Sequence, residues 1–196
     1  MGYEMTRPAQ KWIGVGILLG AFTLLLFTMA VPYVNHFGTD DSSFTYYTKW
    51  SGRWRSDNLA QGTFGDATAL LDFPLAAPIL IGIGLFILAV GAVYQFWLTY
   101  QNKPCYFTRE RPGFVGGATS FLGGILYLIG SLIYERWAYG APRPAAGWPG
   151  DSDFIPSTVR MAPTFWFGIA IVIIILALST MNVVYYLDTV EKRPVK

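Results

Sequence analysis

Two residue types that carry much of protein chemistry are almost absent from this chain. Its 196 residues include one histidine, His36, and one cysteine, Cys105. A single cysteine cannot form an intrachain disulfide, which excludes a disulfide-stapled secreted domain. One histidine and one cysteine also supply no familiar zinc, copper or haem ligand set. We therefore predict no metal site and no cofactor.

The chain also lacks the short motifs that mark nucleotide binding and hydrolysis. It contains no G-x-x-x-x-G-K-[ST], no G-x-G-x-x-G between a strand and a helix, and no G-x-S-x-G. Its net charge is +2, and the basic residues are scattered along the chain without forming a stripe that could follow phosphates. We therefore expect neither an enzyme nor a nucleic-acid-binding protein, and we predict no catalytic residue.

Apolar residues, by contrast, are abundant. Hydrophobic residues make up 53% of the chain and charged residues 13%, with a mean hydropathy of +0.39. Soluble domains carry about 25% charged residues, so a soluble domain of this composition would expose too much apolar surface. The apolar and aromatic content also excludes a disordered chain. The composition predicts an integral membrane protein with the lipid bilayer as its surroundings.

Four segments are long and apolar enough to cross a bilayer: residues 12–34, 75–98, 114–134 and 165–187. About 20 residues of helix cover the roughly 30 Å of hydrocarbon, where backbone groups must bond internally. These continuous runs differ from the alternating strands of an outer-membrane barrel. We predict an all-α membrane protein: a four-transmembrane-helix bundle that makes residues 1–196 a single integral membrane domain. No ionisable residue lies near mid-membrane, which argues against proton-coupled transport.

The distribution of basic residues predicts the orientation. Eight Lys and Arg residues lie in the two termini and the loop between the second and third segments, whereas six lie in the much longer remainder outside the spans. Basic residues near span ends favour the cytoplasmic side. Both termini are therefore predicted to be cytoplasmic, in a plasma or inner membrane. The outer loops, residues 35–73 and 135–163, then hold most of the material outside the bilayer.

The first outer loop contains a pattern typical of strands. Residues 42–50 are rich in aromatic and β-favouring side chains, Ser51-Gly52 suits a turn, and residues 53–55 suit the start of a second strand. These patterns predict a small β-sheet in the first extracytoplasmic loop.

Small residues at four-residue spacing predict close helix packing. Such residues let helix backbones approach, which matters in lipid because lipid supplies no hydrophobic drive between helices. Two interpretations remain open: packing within the chain, or a docking face for a partner subunit. The residues are Gly16 and Gly20 in the first span and Gly116, Gly117, Ser120 and Gly124 in the third.

One segment resembles a known family. Residues 50–54, Trp-Ser-Gly-Arg-Trp, are similar to the W-x-G-L-W segment in the first outer loop of claudins and the related peripheral-myelin-protein group. The number of spans and the loop lengths agree as well. The resemblance implies a left-handed four-helix bundle with an extracellular sheet, acting in adhesion, in paracellular barriers or as an auxiliary channel subunit. The chain departs from the family in lacking the two loop cysteines and in having Arg53 at the leucine position.

Three functions follow from these observations. The first is a non-catalytic membrane protein acting through contacts of its outer loops and glycine-rich helix faces with another membrane protein or with itself. The second is an accessory subunit of a respiratory, photosynthetic or transport complex. The third is a lipid-substrate enzyme or carrier, which would bring together Glu135, Arg136, Asp72 and His36.

For the first function the partner contacts would be Tyr46, Tyr47, Trp50, Trp54 and Trp148, since Trp and Tyr dominate interface energetics. Alternatively, Trp50 and Trp54 anchor the loop to the membrane surface.

Overall fold

Four long helices account for most of the described chain. They are α1 (Arg7–Ala30), α2 (Ala76–Gln101), α3 (Pro112–Tyr139) and α4 (Pro163–Glu191). Each contains a stretch long and apolar enough to cross a membrane, which confirms the predicted helical, multi-pass class. The computed structural model describes residues 7–30, 34–38, 45–48, 50, 53–56, 64–66, 74–101, 112–139 and 156–191.

The helix ends differ from the predicted spans for local reasons. α1 ends at Ala30, and Val34, which was predicted to be helical, begins a strand. α3 continues to Tyr139, so Glu135 and Arg136 belong to the helix and not to the following loop. Helical hydrogen bonding does not stop where the apolar run stops, because charged residues are tolerated at the ends of a span. Pro112 and Pro163 begin their helices, where a missing N–H leaves no bond unmade.

Five strands lie between the helices in chain order: β1 (Val34–Gly38), β2 (Thr45–Thr48), β3 (Arg53–Ser56), β4 (Phe64–Asp66) and β5 (Pro156–Met161). They pair in the order β4-β3-β2-β1-β5, and every pairing is antiparallel. β1 to β4 follow one another as neighbours between α1 and α2. β5 immediately precedes α4 and pairs with β1, so this sheet joins segments from both regions that were predicted as outer loops.

The chain divides into two compact units. The first takes the described residues of Met1–Leu25, Ile83–Tyr127 and Ile171–Lys196, and the second those of Leu26–Gly82 and Leu128–Ala170. All four helices contribute to the first unit, and the sheet belongs to the second.

The first unit is a four-helix bundle with an apolar interior. Ile17 and Leu24 from α1, Leu88 from α2 and Ile175 from α4 are completely buried. Large apolar side chains also cover its exterior, as expected for helices that face lipid and not water. Leu19, Phe22, Phe86, Val90, Ile173 and Ile174 are among these exposed side chains.

The second unit has a small aromatic core beside its helix ends. Tyr134 of α3 and Phe165 of α4 are buried, and the ring of Tyr134 meets that of Trp137 edge-on at 5.7 Å between centroids. Such edge-to-face pairs are a favoured aromatic geometry. The first turn of α4 is fixed by a hydrogen bond from the Phe165 N–H to the Ala162 carbonyl.

Candidate functional site

Within the first unit, α2 and α3 approach each other through their backbones. A Cβ on Gly84 would lie 2.5 Å from the backbone nitrogen of Tyr127, and one on Gly123 would lie 2.5 Å from that of Leu88. A Cβ on Gly91 would lie 2.8 Å from the nitrogen of Ser120. No side chain larger than hydrogen fits at these distances, so the three glycines set how closely the two helices pack.

The same two helices are equally close in the second unit. A Cβ on Gly130 of α3 would lie 2.9 Å from both the Ala77 carbonyl oxygen and the Ile81 nitrogen of α2. Along the sequence these small residues are spaced by seven: Ala77, Gly84 and Gly91 on α2, and Gly116, Gly123 and Gly130 on α3. A seven-residue period corresponds to 3.5 residues per turn, which keeps one row facing its neighbour in a left-handed pair.

The predicted packing glycines contact neighbours within the chain. A Cβ on Gly16 would lie 3.2 Å from Leu178 Cδ1, and one on Gly20 would lie 3.0 Å from Ile175 Cγ1, both on α4. Gly124 on α3 also faces α4, whose Leu176 Cδ2 lies 2.9 Å from the corresponding position. The partners of these glycines are therefore other helices of the same chain.

Two further predicted residues, Gly116 and Gly117, lie beside buried amide side chains. A Cβ on Gly116 would lie 2.6 Å from the Cβ of Gln95 on α2, and one on Gly117 would lie 3.2 Å from the Cβ of Asn182 on α4. The predicted residue Ser120 is completely buried, as is Ser179 of α4.

These buried amides were not predicted from the sequence, because only ionisable residues within a span were taken as the sign of a site. Gln95 and Asn182 carry no charge, yet burying an amide in an apolar interior is costly unless it is hydrogen-bonded. Gln95 is 1% exposed and Asn182 4% exposed. The signal that would have found them is an amide within a span, at a helix position that also faces a glycine.

Charged side chains that could form a reactive or metal-binding site are sparse in the described part of the chain. Among the described residues there is no group of three or more His, Cys, Asp or Glu residues that could hold a metal ion. Of the residues that a lipid-substrate enzyme would use, Glu135 and Arg136 lie in the last turns of α3 and His36 lies in β1. Asp72 lies outside the described residues. The buried hydroxyl and amide side chains can hydrogen-bond, but they do not ionise near neutral pH.

Strand register divides the predicted partner contacts between the two faces of the sheet. Tyr46 and Tyr47 are consecutive in β2, and consecutive strand residues belong to opposite faces. Trp54 of β3 pairs with Thr48, which is two residues from Tyr46 and therefore on the same face. Trp148 lies outside the described residues.

The residues that pair across neighbouring strands differ between the two faces of the sheet. The row of Trp54 runs through Thr48 and Val34 to Met161, which is buried. We call this side of the sheet the Trp54 face.

The row of Tyr47 contains Arg55 on one side and Asn35 followed by Arg160 on the other. We call this side the Tyr47 face. Arg53, two residues before Arg55, is at a position of the same face and pairs with Asp66. The Tyr47 face therefore carries three arginine positions and one aspartate.

Trp50 lies between β2 and β3 and is partly buried against α2. Its ring atoms Cζ3 and Cη2 lie 3.8 and 3.9 Å from the position of a Cβ on Gly82. Both residues belong to the second unit. This is an ordinary van der Waals contact between Trp50 and α2, which differs from the predicted alternative of anchoring to the membrane surface.

No protein-family model matches the chain, and no curated protein matches it. The similarity to claudins therefore depends on residues 50–54 and on the number of spans.

Proposed function

We propose that this chain is a non-catalytic, multi-pass membrane protein that acts by binding another protein through its β-sheet. In this proposal the sheet lies on the extracytoplasmic side of a plasma or inner membrane, and both termini are cytoplasmic. The observation that carries the proposal is the register that assigns Tyr47, Arg55 and Arg160 to one row, on the face opposite the row of the buried Met161.

The chemistry of the Tyr47 face suits an acidic protein surface. Tyrosine and arginine are enriched at the centres of protein interfaces because they combine a large contact area with directed hydrogen bonds. Three arginine positions exceed the single aspartate at Asp66, so the face is cationic by sequence. Complementary charge would steer an acidic partner toward it and fix its orientation.

The proposal changes the roles of the predicted contact residues. Tyr47 remains a contact residue and gains Arg55 and Arg160 as neighbours in its row. Trp50 becomes an anchor, because its ring already contacts the helix at Gly82. Trp54 and Tyr46, which lie on the Trp54 face, become structural.

Site-specific photo-crosslinking in native membranes tests this assignment. A photoreactive phenylalanine analogue is placed at Tyr47 in one variant and at Tyr46 in the other, and crosslinked products are identified by mass spectrometry. We expect a protein adduct at position 47 and none at position 46, because neighbouring strand positions face opposite ways. Equal adducts at both positions, or an adduct at position 46 alone, would contradict the assignment.

A second function, an accessory subunit of a larger membrane complex, is favoured by the exposure of α1 and α4. Only 33% of the α1 span and 28% of the α4 span are buried within the chain. These helices therefore offer broad apolar faces on which other subunits could pack. The same crosslinker placed at Ile173, exposed on α4, distinguishes the two functions. A stoichiometric subunit captured there would favour the complex, whereas lipid adducts alone would favour binding through the sheet.

A further inference from the structure

Three buried side chains in the first unit each have a polar atom without a hydrogen-bond partner among the residues that the structure describes. They are Ser120 of α3 and Ser179 and Asn182 of α4, and the atoms concerned are the two Oγ atoms and Asn182 Nδ2. We call these three residues the polar layer. Ser120 and Ser179 are 0% exposed and Asn182 is 4% exposed, so solvent outside the bundle does not reach these side chains.

Ser131 of the second unit also has a buried hydroxyl without a partner, whereas three threonine hydroxyls in the described helices are bonded. Thr23 donates to the Leu19 carbonyl, Thr119 to the Val115 carbonyl and Thr180 to the Leu176 carbonyl, each within its own helix. Serine can make the same bond. The two serines of the polar layer do not make it, and their hydroxyls are available to a group from outside the helix.

Glycines on α2 and α3 lie beside the residues of the polar layer. The Cβ of Asn182 and the carbonyl oxygen of Ser179 both lie 3.2 Å from the position of a Cβ on Gly117. Ser120 lies one turn further along α3, and its Oγ is 2.8 Å from the position of a Cβ on Gly91. Residues three apart on a helix are neighbours on one face, so Ser120 lies on α3 next to the position that Ser179 and Asn182 of α4 approach.

The chemistry of the polar layer defines what it would bind. Two hydroxyls and one amide N–H can donate, and the hydroxyls can also accept, so a ligand that both accepts and donates matches all three groups. Among side chains described in the four spans, the only charged ones are Glu135 and Arg136, which belong to the second unit. A neutral ligand is therefore favoured over an ion, and the close helix packing at Gly91 favours a small one.

We propose that the polar layer binds water, which bridges Ser120 of α3 to Ser179 and Asn182 of α4. Buried water characteristically makes about three hydrogen bonds to polar groups that have no other partner. Such a bridge fixes the position of α4 relative to α3, in the way that single buried polar residues fix the register of helix pairs. This inference is independent of the proposed partner-binding role of the sheet.

A structure of the full-length chain in lipid, at a resolution that shows ordered water, is the direct test. We expect a water peak within hydrogen-bonding distance, about 2.7–3.2 Å, of at least two of the three polar atoms. Direct hydrogen bonds among the three side chains with no such peak would overturn the proposal, as would density for a larger molecule.

Equilibrium unfolding in mixed micelles supplies an energetic test. If water satisfies the hydroxyls, Ser120→Ala and Ser179→Ala should each lower the folding equilibrium constant about three- to tenfold. The double variant should lose less than the product of the single effects, because both side chains share one bridge. Thr180→Val is the matched control, since it removes a hydroxyl that is bonded within its own helix and exposed. Serine variants that are as stable as the parent, or more stable, would overturn the proposal.

Discussion

Substituting Gly84 by alanine tests whether backbone contact between α2 and α3 holds these helices together. The added Cβ would lie 2.5 Å from the Tyr127 nitrogen and 2.8 Å from the Gly123 carbonyl oxygen, whereas an ordinary contact begins near 3.4 Å. The helices must therefore separate locally by about 0.9 Å, because backbone atoms cannot rotate away as a side chain can.

The expected loss can be worked out from two opposing effects. Overpacking typically costs about 1–3 kcal/mol, and the backbone obstruction at Gly84 favours the upper end of that range. Alanine recovers about 1 kcal/mol because it is the better helix former. The net destabilisation is about 2 kcal/mol, equivalent to a roughly 30-fold smaller folding equilibrium constant.

Denaturation by SDS in mixed micelles, followed by circular dichroism, measures this constant. Gly82→Ala is the matched control on the same helix, because the nearest described atoms to its Cβ would be those of the Trp50 ring, at 3.8 Å, an ordinary contact. We expect Gly82→Ala to be as stable as the parent or slightly more stable. The reasoning is refuted if Gly84→Ala costs no more than Gly82→Ala.

Three further predictions concern the sheet. Trp50→Ala should lower the midpoint of thermal unfolding, because losing the burial of the ring lowers the free energy of unfolding by about 1–3 kcal/mol. An unchanged midpoint would contradict the role of Trp50 as an anchor. Tyr47→Ala should weaken partner capture in a pull-down from native membranes by at least tenfold while Tyr46→Ala leaves capture intact, and equal losses would count against the Tyr47 face. Cysteines introduced together at Asn35 and Arg160, which are paired in register, should form a reducible disulfide, because paired strand residues lie about 4.5–5.5 Å apart. Cys105 is replaced by serine in all of these variants, those with one introduced cysteine serve as controls, and the absence of crosslinking in the double variant would contradict the β1–β5 pairing.

The helices were predictable because lipid leaves the chain little choice. A long run without charges must bond its own backbone groups, so each apolar segment was recognised from composition alone. The helix ends were less predictable. α3 continues through Glu135 and Arg136 because helical bonding extends past the hydrocarbon, and hydropathy does not register that extension.

No local sequence pattern indicates the pairing of β1 with β5. Residues 42–50 and 53–55 attract attention because aromatic and β-favouring residues cluster there, and they overlap β2 and β3. β5 reads Pro-Ser-Thr-Val-Arg-Met and pairs with residues more than a hundred positions earlier in the chain. Such a pairing is set by where the helices bring the strands, which a single sequence does not state.

Helix packing in this chain is specified by glycines and uncharged polar residues, and not by the large apolar residues that give the spans their hydropathy. Lipid is as apolar as leucine, so apolar side chains cannot select one helix neighbour over another. Gly84 and Gly123 make that selection by allowing backbone contact, and Asn182 and Ser120 make it by requiring hydrogen-bond partners. Small residues spaced by four include only some of the glycines that pack between helices, because the small residues of the α2–α3 pair recur every seven residues. It follows that exchanging leucine for isoleucine on the exposed face of a span should leave the stability of this fold nearly unchanged, whereas a single methyl group at Gly84 or Gly123 should lower it.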